Sequence, residues 1–287
     1  MQTLITRFAA ILALALPLGA SAIAQEHEAA AEETPHYPLE HPRHSEWSFA
    51  GPFGKYEPQQ LQRGFQIYRD VCSTCHSLGM VAFRNLASES GPHFGEEEVK
   101  ALAAEYTVAD PSVESGERPG LPSDHFPPAP PYPGAKPPDL SLIAKARAIN
   151  RGFPTFVFDL FTQYQETGPD YIHSLLTGYQ DPPPAGVEVP EGLYYNPYFI
   201  SAPYLAMPPP LSDGLVKYAQ NKDESPDNNV PETVDQYAKD VTAFLMWAAE
   251  PHLVERKATG LTVMVFLVIF AGLVYYTKKK VWATIPH

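Results

Sequence analysis

Both cysteines of this chain fall in a single pentapeptide, Cys72-Ser73-Thr74-Cys75-His76. Upstream, Leu61, Phe65, Tyr68 and Cys72 recur at spacings of four, three and four, the pattern of a helix with one apolar face. The spacing predicts that this helix runs on through the motif, so that positions 72, 75 and 76 share a face. Two thiols and an imidazole so placed suit covalent haem, with thioethers to Cys72 and Cys75 and with His76 ligating the iron. A structural zinc site would need four ligands, and the sequence offers no second Cys or His pair at matched spacing. A thioredoxin-like redox pair would leave His76 without a role and needs a βαβ setting that the pattern lacks.

An electron carrier is served by a soft thioether on the far side of the iron, which favours the ferrous state and raises the potential. Of five methionines, Met1 lies in an apolar leader and Met264 in a long apolar span. Met80 is too near His76 to wrap round to the other face of the macrocycle, and Met246 sits in the apolar run Phe244-Leu245-Met246-Trp247. That leaves Met207, in Tyr204-Leu205-Ala206-Met207-Pro208-Pro209-Pro210, where three prolines stiffen the loop. A histidine in this position (His93, His125 or His173) is the alternative and would lower the potential.

The elements that must position these groups are mainly helical, joined by extensive irregular loops. Prolines number 32 in 287 residues, roughly double the usual ~5 % share. Nine of them fall between Pro119 and Pro138, a stretch that excludes regular structure. Pro138 leads into an expected helix from Asp139 to Ala148, with Leu140, Ile143, Ala144 and Arg147 on one side. An arginine turned inward would suit a haem propionate; a surface arginine fits the pattern equally well. Asp170 reads as the cap of a short helix through Tyr171, Ile172, Leu175 and Leu176. Pro231 and Thr233 open a longer helix carrying Val234, Tyr237, Val241, Phe244 and Leu245 on one face, ending at Glu250 before Pro251.

The charge balance is acidic, 20 Lys+Arg against 33 Asp+Glu, which argues against a nucleic-acid partner. Hydrophobic residues make up 44 %, enough to exclude a disordered chain. Acidic residues cluster at Glu96-Glu97-Glu98 and again at Glu105, Asp110, Glu114 and Glu117. Such a cluster reads as a solvated face or as a docking surface for a basic soluble cytochrome. There is no phosphate-binding glycine loop and no nucleophile–base pair, so an enzyme acting alone is not expected.

The ends give an address. Residues 1–24 carry Arg7, an 11-residue apolar run from Phe8 to Leu18 and a small-x-small close, the layout of a secretory signal peptide. Residues 25–45 read as an acidic N-terminal tail, 46–250 as an extracytoplasmic haem domain and 251–257 as a juxtamembrane linker. Residues 258–277 are 20 positions without a charge, about 30 Å as a helix and enough to cross a bilayer. Tyr275, Tyr276 and Trp282 match an interfacial aromatic belt, and Lys278 to Lys280 put the 278–287 tail in the cytoplasm by the positive-inside rule. The expected protein is a single-pass membrane protein with its haem domain outside the cytoplasm.

The ordered blocks Trp47-Ser48-Phe49, Gly54-Lys55-Tyr56, Arg63 to Cys72, Pro137 to Ser141, Ser174 to Tyr179, Ala206 to Pro209 and Phe244 to Pro251 resemble the cytochrome c1 family, the haem-c subunit of ubiquinol–cytochrome c reductase. The resemblance implies a cytochrome c-like haem domain with His76 and Met207 as axial ligands and Cys72 and Cys75 as thioether sites. It further implies Arg147 beside a haem propionate, and Tyr171 and Pro138 in the haem pocket. Phe153 to Gly168 looks like an insertion. The second cysteine pair of some bacterial relatives is missing, so rigidity near Met207 must come from elsewhere. The implied role is electron relay from a Rieske-type iron–sulfur protein to a soluble or tethered cytochrome c, next to a cytochrome b subunit. Other readings are a different membrane-anchored c-type cytochrome donating to a terminal oxidase, or a haem enzyme such as a peroxidase with an open coordination position.

Overall fold

The computed structural model describes residues 40–132, 134–149, 151–162, 164–219 and 229–283. The proposed signal peptide and most of the acidic tail therefore lie outside the described residues. In chain order the elements are α1 (Pro58–Asp70), α2 (Glu96–Ala104), the hairpin β1 (Thr107–Ala109) and β2 (Glu117–Pro119), α3 (Ile143–Ala146), α4 (Thr155–Thr162) and α5 (Thr167–Thr177). They continue with the short pair β3 (Tyr194–Tyr195) and β4 (Tyr204–Leu205), then α6 (Val234–Ala249) and α7 (Leu253–Trp282). Both strand pairs are antiparallel, with Val108 opposite Arg118 and Tyr195 opposite Tyr204. The mainly helical, loop-rich fold matches the expectation.

α6 is the central post. Thr233 caps it by accepting a hydrogen bond from Gln236 N–H, and nearly every residue from Tyr237 to Trp247 is buried. Its long buried stretch belongs in a core, and α1, α3 and α5 pack around it. α1 starts with Pro58, whose missing N–H costs nothing there, and buries Leu61, Phe65 and Tyr68 as expected. The α1–α6 crossing is close at Gly64, where a Cβ would lie 2.1 Å from the Asp240 carbonyl oxygen and 2.6 Å from Phe244 Cβ. At that crossing Asp240 is fully buried and takes a two-pronged contact from Arg63 at 2.7 and 3.0 Å. Gln60, Gln236 and the Tyr218 hydroxyl also donate to it.

Two expected helices differ. The segment Asp139–Ala148 is helical only over Ile143–Ala146. Asp139 Oδ1 accepts from Ser141 N–H at 2.8 Å, a local side-chain turn that replaces the first helical turn. Asp170 does not cap α5, which begins three residues earlier, at Thr167 with Glu166 as its cap. Instead the buried Asp170 carboxylate accepts from Trp47 Nε1 at 2.8 Å, Ser45 N–H at 3.0 Å and the Tyr164 hydroxyl, tying the 44–47 segment to α5. The proline-rich loop is anchored by buried Phe126, whose ring meets Phe83 at 4.3 Å. α7 takes in most of the segment read as a linker, since it starts at Leu253, and its apolar window buries nothing against the rest of the chain.

Candidate haem-binding site

α1 stops at Asp70 rather than running through the motif. Val71 leaves helical geometry (φ −123°, ψ −59°), and Cys72–Thr74 form a single 3₁₀ turn. The Ser73 and Thr74 hydroxyls donate to the carbonyls of Arg69 and Val71, competing with the helical ladder at its weakest turn. One longer bond survives: His76 N–H donates to Cys72 C=O at 2.9 Å, keeping thiol and imidazole one turn apart.

Cys72 and Cys75 are both free and partly exposed. Burial of its sulfur, with Cys75 beside it, pushes the Cys72 thiol up to about 12.

The His76 imidazole is fixed from a distant segment. Its Nδ1 lies 2.8 Å from the Pro138 carbonyl oxygen, which only accepts, so Nδ1 carries the proton and the Nε2 lone pair is left for a metal. Tyr68 donates its hydroxyl to the His76 carbonyl at 3.1 Å. Asp139 holds the two loops together: its Oδ2 accepts from Ser77 Oγ at 2.7 Å and Gly79 N–H at 2.8 Å. Leu140 N–H donates to Ser77 C=O at 2.9 Å. Burial works to raise the Asp139 carboxyl, but the hydrogen bonds from Ser141, Ser77 and Gly79 win and hold it below its ordinary value. Asp139 was not singled out from sequence; the signal available was an Asp with a Ser two residues on, the mark of a side-chain turn.

Arg147 follows α3 directly and is partly buried. Its field reaches Tyr171: burial raises that phenol, while the Ile200 N–H and Arg147 pull the other way. Burial also raises Tyr179, with Tyr171 adding to the shift, and Tyr179 donates its hydroxyl to the Met207 carbonyl at 3.0 Å. Tyr179 thus ties the Met207 loop to the segment after α5, while the charge of Arg147 acts on Tyr171 within α5. The Met207 loop leaves β4 at Leu205 and is followed at once by its three prolines. Tyr179, like Asp139, was missed by sequence reasoning, because its partner is a backbone carbonyl 28 residues away.

The other candidate ligands are placed elsewhere. Met80 is 67 % exposed, Met246 is buried inside α6 and Met264 lies on α7. His93 is exposed and His125 sits on the proline-rich loop bridged to Ala82. His173 is buried edge-on against Trp47, with Nε2 3.1 Å from Asp235 Oδ1 and Nδ1 3.3 Å from Ser45 Oγ. Glu96, Glu97 and Glu98 form the exposed first turn of α2, where they complement the helix dipole.

The family model described as Cytochrome C1 family matches residues 47–285. The chain belongs to the cytochrome c1 family. It is 45 % identical over 293 residues to cytochrome c1 of Blastochloris viridis, covering 98 % of this chain and 97 % of that one. With cytochrome c1 of Cereibacter sphaeroides it shares 42 % over 258 residues, 83 % of this chain and 85 % of the other. A protein of Bradyrhizobium diazoefficiens named cytochrome b/c1 is 52 % identical over 255 residues; these cover 84 % of this chain but only 36 % of that protein, about a third of its length.

A cytochrome c1 is a haem-carrying electron-transfer subunit, and the residues present fit that group. Two unpaired thiols and a histidine share one short turn, the imidazole tautomer leaves Nε2 for iron, and Arg147 has no carboxylate partner among the described residues. α7 is long and apolar enough to make this a membrane protein.

Proposed function

We propose that this cytochrome c1 binds one haem c covalently through Cys72 and Cys75, with His76 and Met207 as axial ligands. Arg147 holds a propionate, and Tyr171 and Pro138 wall the pocket. When bound, the haem supplies reversible one-electron chemistry at a potential raised by thioether ligation. The chain's own part is to fix the imidazole through the Pro138 carbonyl, to present the sulfur on a loop held by Tyr179, and to keep water from the ring with its buried aromatics. The observation that carries this reading is the 2.8 Å bond from His76 Nδ1 to the Pro138 carbonyl, which places the ring proton on Nδ1 and leaves the Nε2 lone pair for iron.

In this reading the subunit takes an electron from a Rieske-type iron–sulfur protein and delivers it to a cytochrome c, in a quinol–cytochrome c reductase of a respiratory or photosynthetic chain. Association with cytochrome b is supported by the relative whose name joins b and c1. The haem domain, 46–250, faces the periplasm, α7 crosses the inner membrane over residues 258–277, and the tail from Lys278 lies in the cytoplasm. Exposed Glu96, Glu97 and Glu98 supply negative charge that would speed encounter with a basic cytochrome.

The test is a redox-poised optical and near-infrared spectrum of the complex purified from membranes. A low-spin ferric haem with a methionine–iron charge-transfer band is expected. Replacing Met207 with Leu removes that band and lowers the potential; an unaltered spectrum rejects the ligand, and high-spin iron in the unmodified protein would favour a haem enzyme instead.

A further inference from the structure

The insertion-like segment between Phe153 and Gly168 has no part in the haem site, yet it displays large apolar side chains. Phe153 is 82 % exposed and Phe156 53 %, and their rings meet at 6.2 Å. Phe158 is exposed as well. The single charge between Phe153 and Thr162 is Asp159, and it is engaged by Arg151 Nη1 at 2.8 Å. The Arg151 guanidinium in turn lies over the Tyr164 ring at 4.6 Å. The segment therefore presents aromatic surface with its charge already paired.

Its position in the fold says what that surface meets. Phe158, Asp159 and Thr162 line a cleft of about 830 Å³ whose opposite wall includes Gly51. Lys257 donates its ammonium to the carbonyls of Phe49 and Gly51. Lys257 is the last charged residue before the uncharged stretch that starts at Ala258. Its charge also acts on the buried Glu166, which caps the helix that follows the segment. The lysine thus pins the head domain to the start of the span, and α4 stands across one cleft from that pin.

We infer that Phe153–Thr162 is a second, interfacial membrane contact, with Phe153 and Phe156 seated in the headgroup–acyl boundary of the bilayer that α7 crosses. Exposed phenylalanines on and just before a short helix whose one charge is paired, across a cleft from the residue that leads into a span, are the chemistry of interfacial anchoring. Protein partners are the weaker fit, because two rings, one on the eight-residue α4 and one just before it, offer far less than the roughly 800 Å² per side of a stable interface. The contact gives the haem domain a second point of attachment to the membrane, beside the Lys257 pin at the start of α7.

The inference rests on α7 spanning the bilayer, and the test separates the two. The holoprotein carrying Phe153→Trp or Phe156→Trp, purified from membranes with whatever subunits it holds, is reconstituted into phosphatidylcholine vesicles brominated near the headgroup end of the acyl chains. Emission added by the new tryptophan, taken against the unsubstituted protein, should fall by about half or more in brominated lipid. A Phe266→Trp control inside α7 should be quenched by bromines deeper in the chain. Quenching of positions 153 and 156 by aqueous iodide but not by brominated lipid places them in water and overturns the inference. Protection from both quenchers shows a protein cover and overturns it too. If Phe266→Trp also escapes brominated lipid, the span itself fails and the inference with it. The haem α-band reports that each variant has folded.

Discussion

The imidazole of His76 is held on the carbonyl oxygen of Pro138, 62 residues further along the chain. An imidazole just past a short 3₁₀ turn is thereby oriented by a loop that sequence distance would never pair with it. Asp139, the next residue, bonds to three groups and fixes both loops.

Replacing Asp139 with Ala should cost about 2–3 kcal/mol in chemical denaturation, since two backbone N–H groups and one hydroxyl lose their acceptor. The folded-state pKa of Asp139 is held below its ordinary value, so the unfolded chain takes up the proton first. Its contribution is therefore present above about pH 4 and lost as pH falls below that. The Ala variant should show a shallower acid limb in its stability–pH curve.

His173 gives a second pH window. Burial holds its pKa below the ordinary ~6.5, against the opposing pull of Asp235, while Arg43 lowers it further. The unfolded state protonates first as pH drops, so stability falls from about pH 7 downwards until the folded-state pKa is passed. His173→Gln should flatten the urea midpoint between about pH 7 and pH 5; an unchanged slope would exclude His173 as its source.

Arg63→Leu should destabilise by about 3–5 kcal/mol, because it strips the cation from the fully buried Asp240. The double variant Arg63→Leu, Asp240→Leu should recover much of that loss, a recovery that a purely steric effect of the first substitution would not give. Urea midpoints of the four proteins of the cycle decide it.

Gly64→Ala tests the α1–α6 crossing. Its new methyl would meet backbone at 2.1 Å, so the helices must separate, at a cost of about 1–3 kcal/mol. Because α1 leads into the haem turn, the Soret maximum should shift or broaden in the same variant. Gly51→Ala, with nothing within 4 Å of its Cβ, is the spatial control, although its φ of +67° adds backbone strain.

Much of this was legible beforehand where the signal is local or periodic. The apolar spacing 61–65–68 gave α1, the uncharged stretch 258–277 gave the core of α7, and Thr233 with Pro251 bounded α6, because period, capping and proline chemistry act within a few residues. Asp139 was passed over and Asp170 misread for one reason: a short acidic side chain near a helix start can cap it, bond locally, or reach another segment. Only the packed fold chose, giving Asp139 to the 77–79 loop and Asp170 to Trp47.

The primary structure by itself determined the kind of chemistry, since two thiols and an imidazole within five residues have few uses, and it determined the membrane helix, since twenty uncharged residues need no tertiary context. Tertiary structure decided which nitrogen of His76 is free, where α1 gives way to a tighter turn, and that Tyr179 holds the Met207 carbonyl. Those outcomes depend on hydrogen bonds and burial between segments tens of residues apart, and no pattern read along the chain carries that separation.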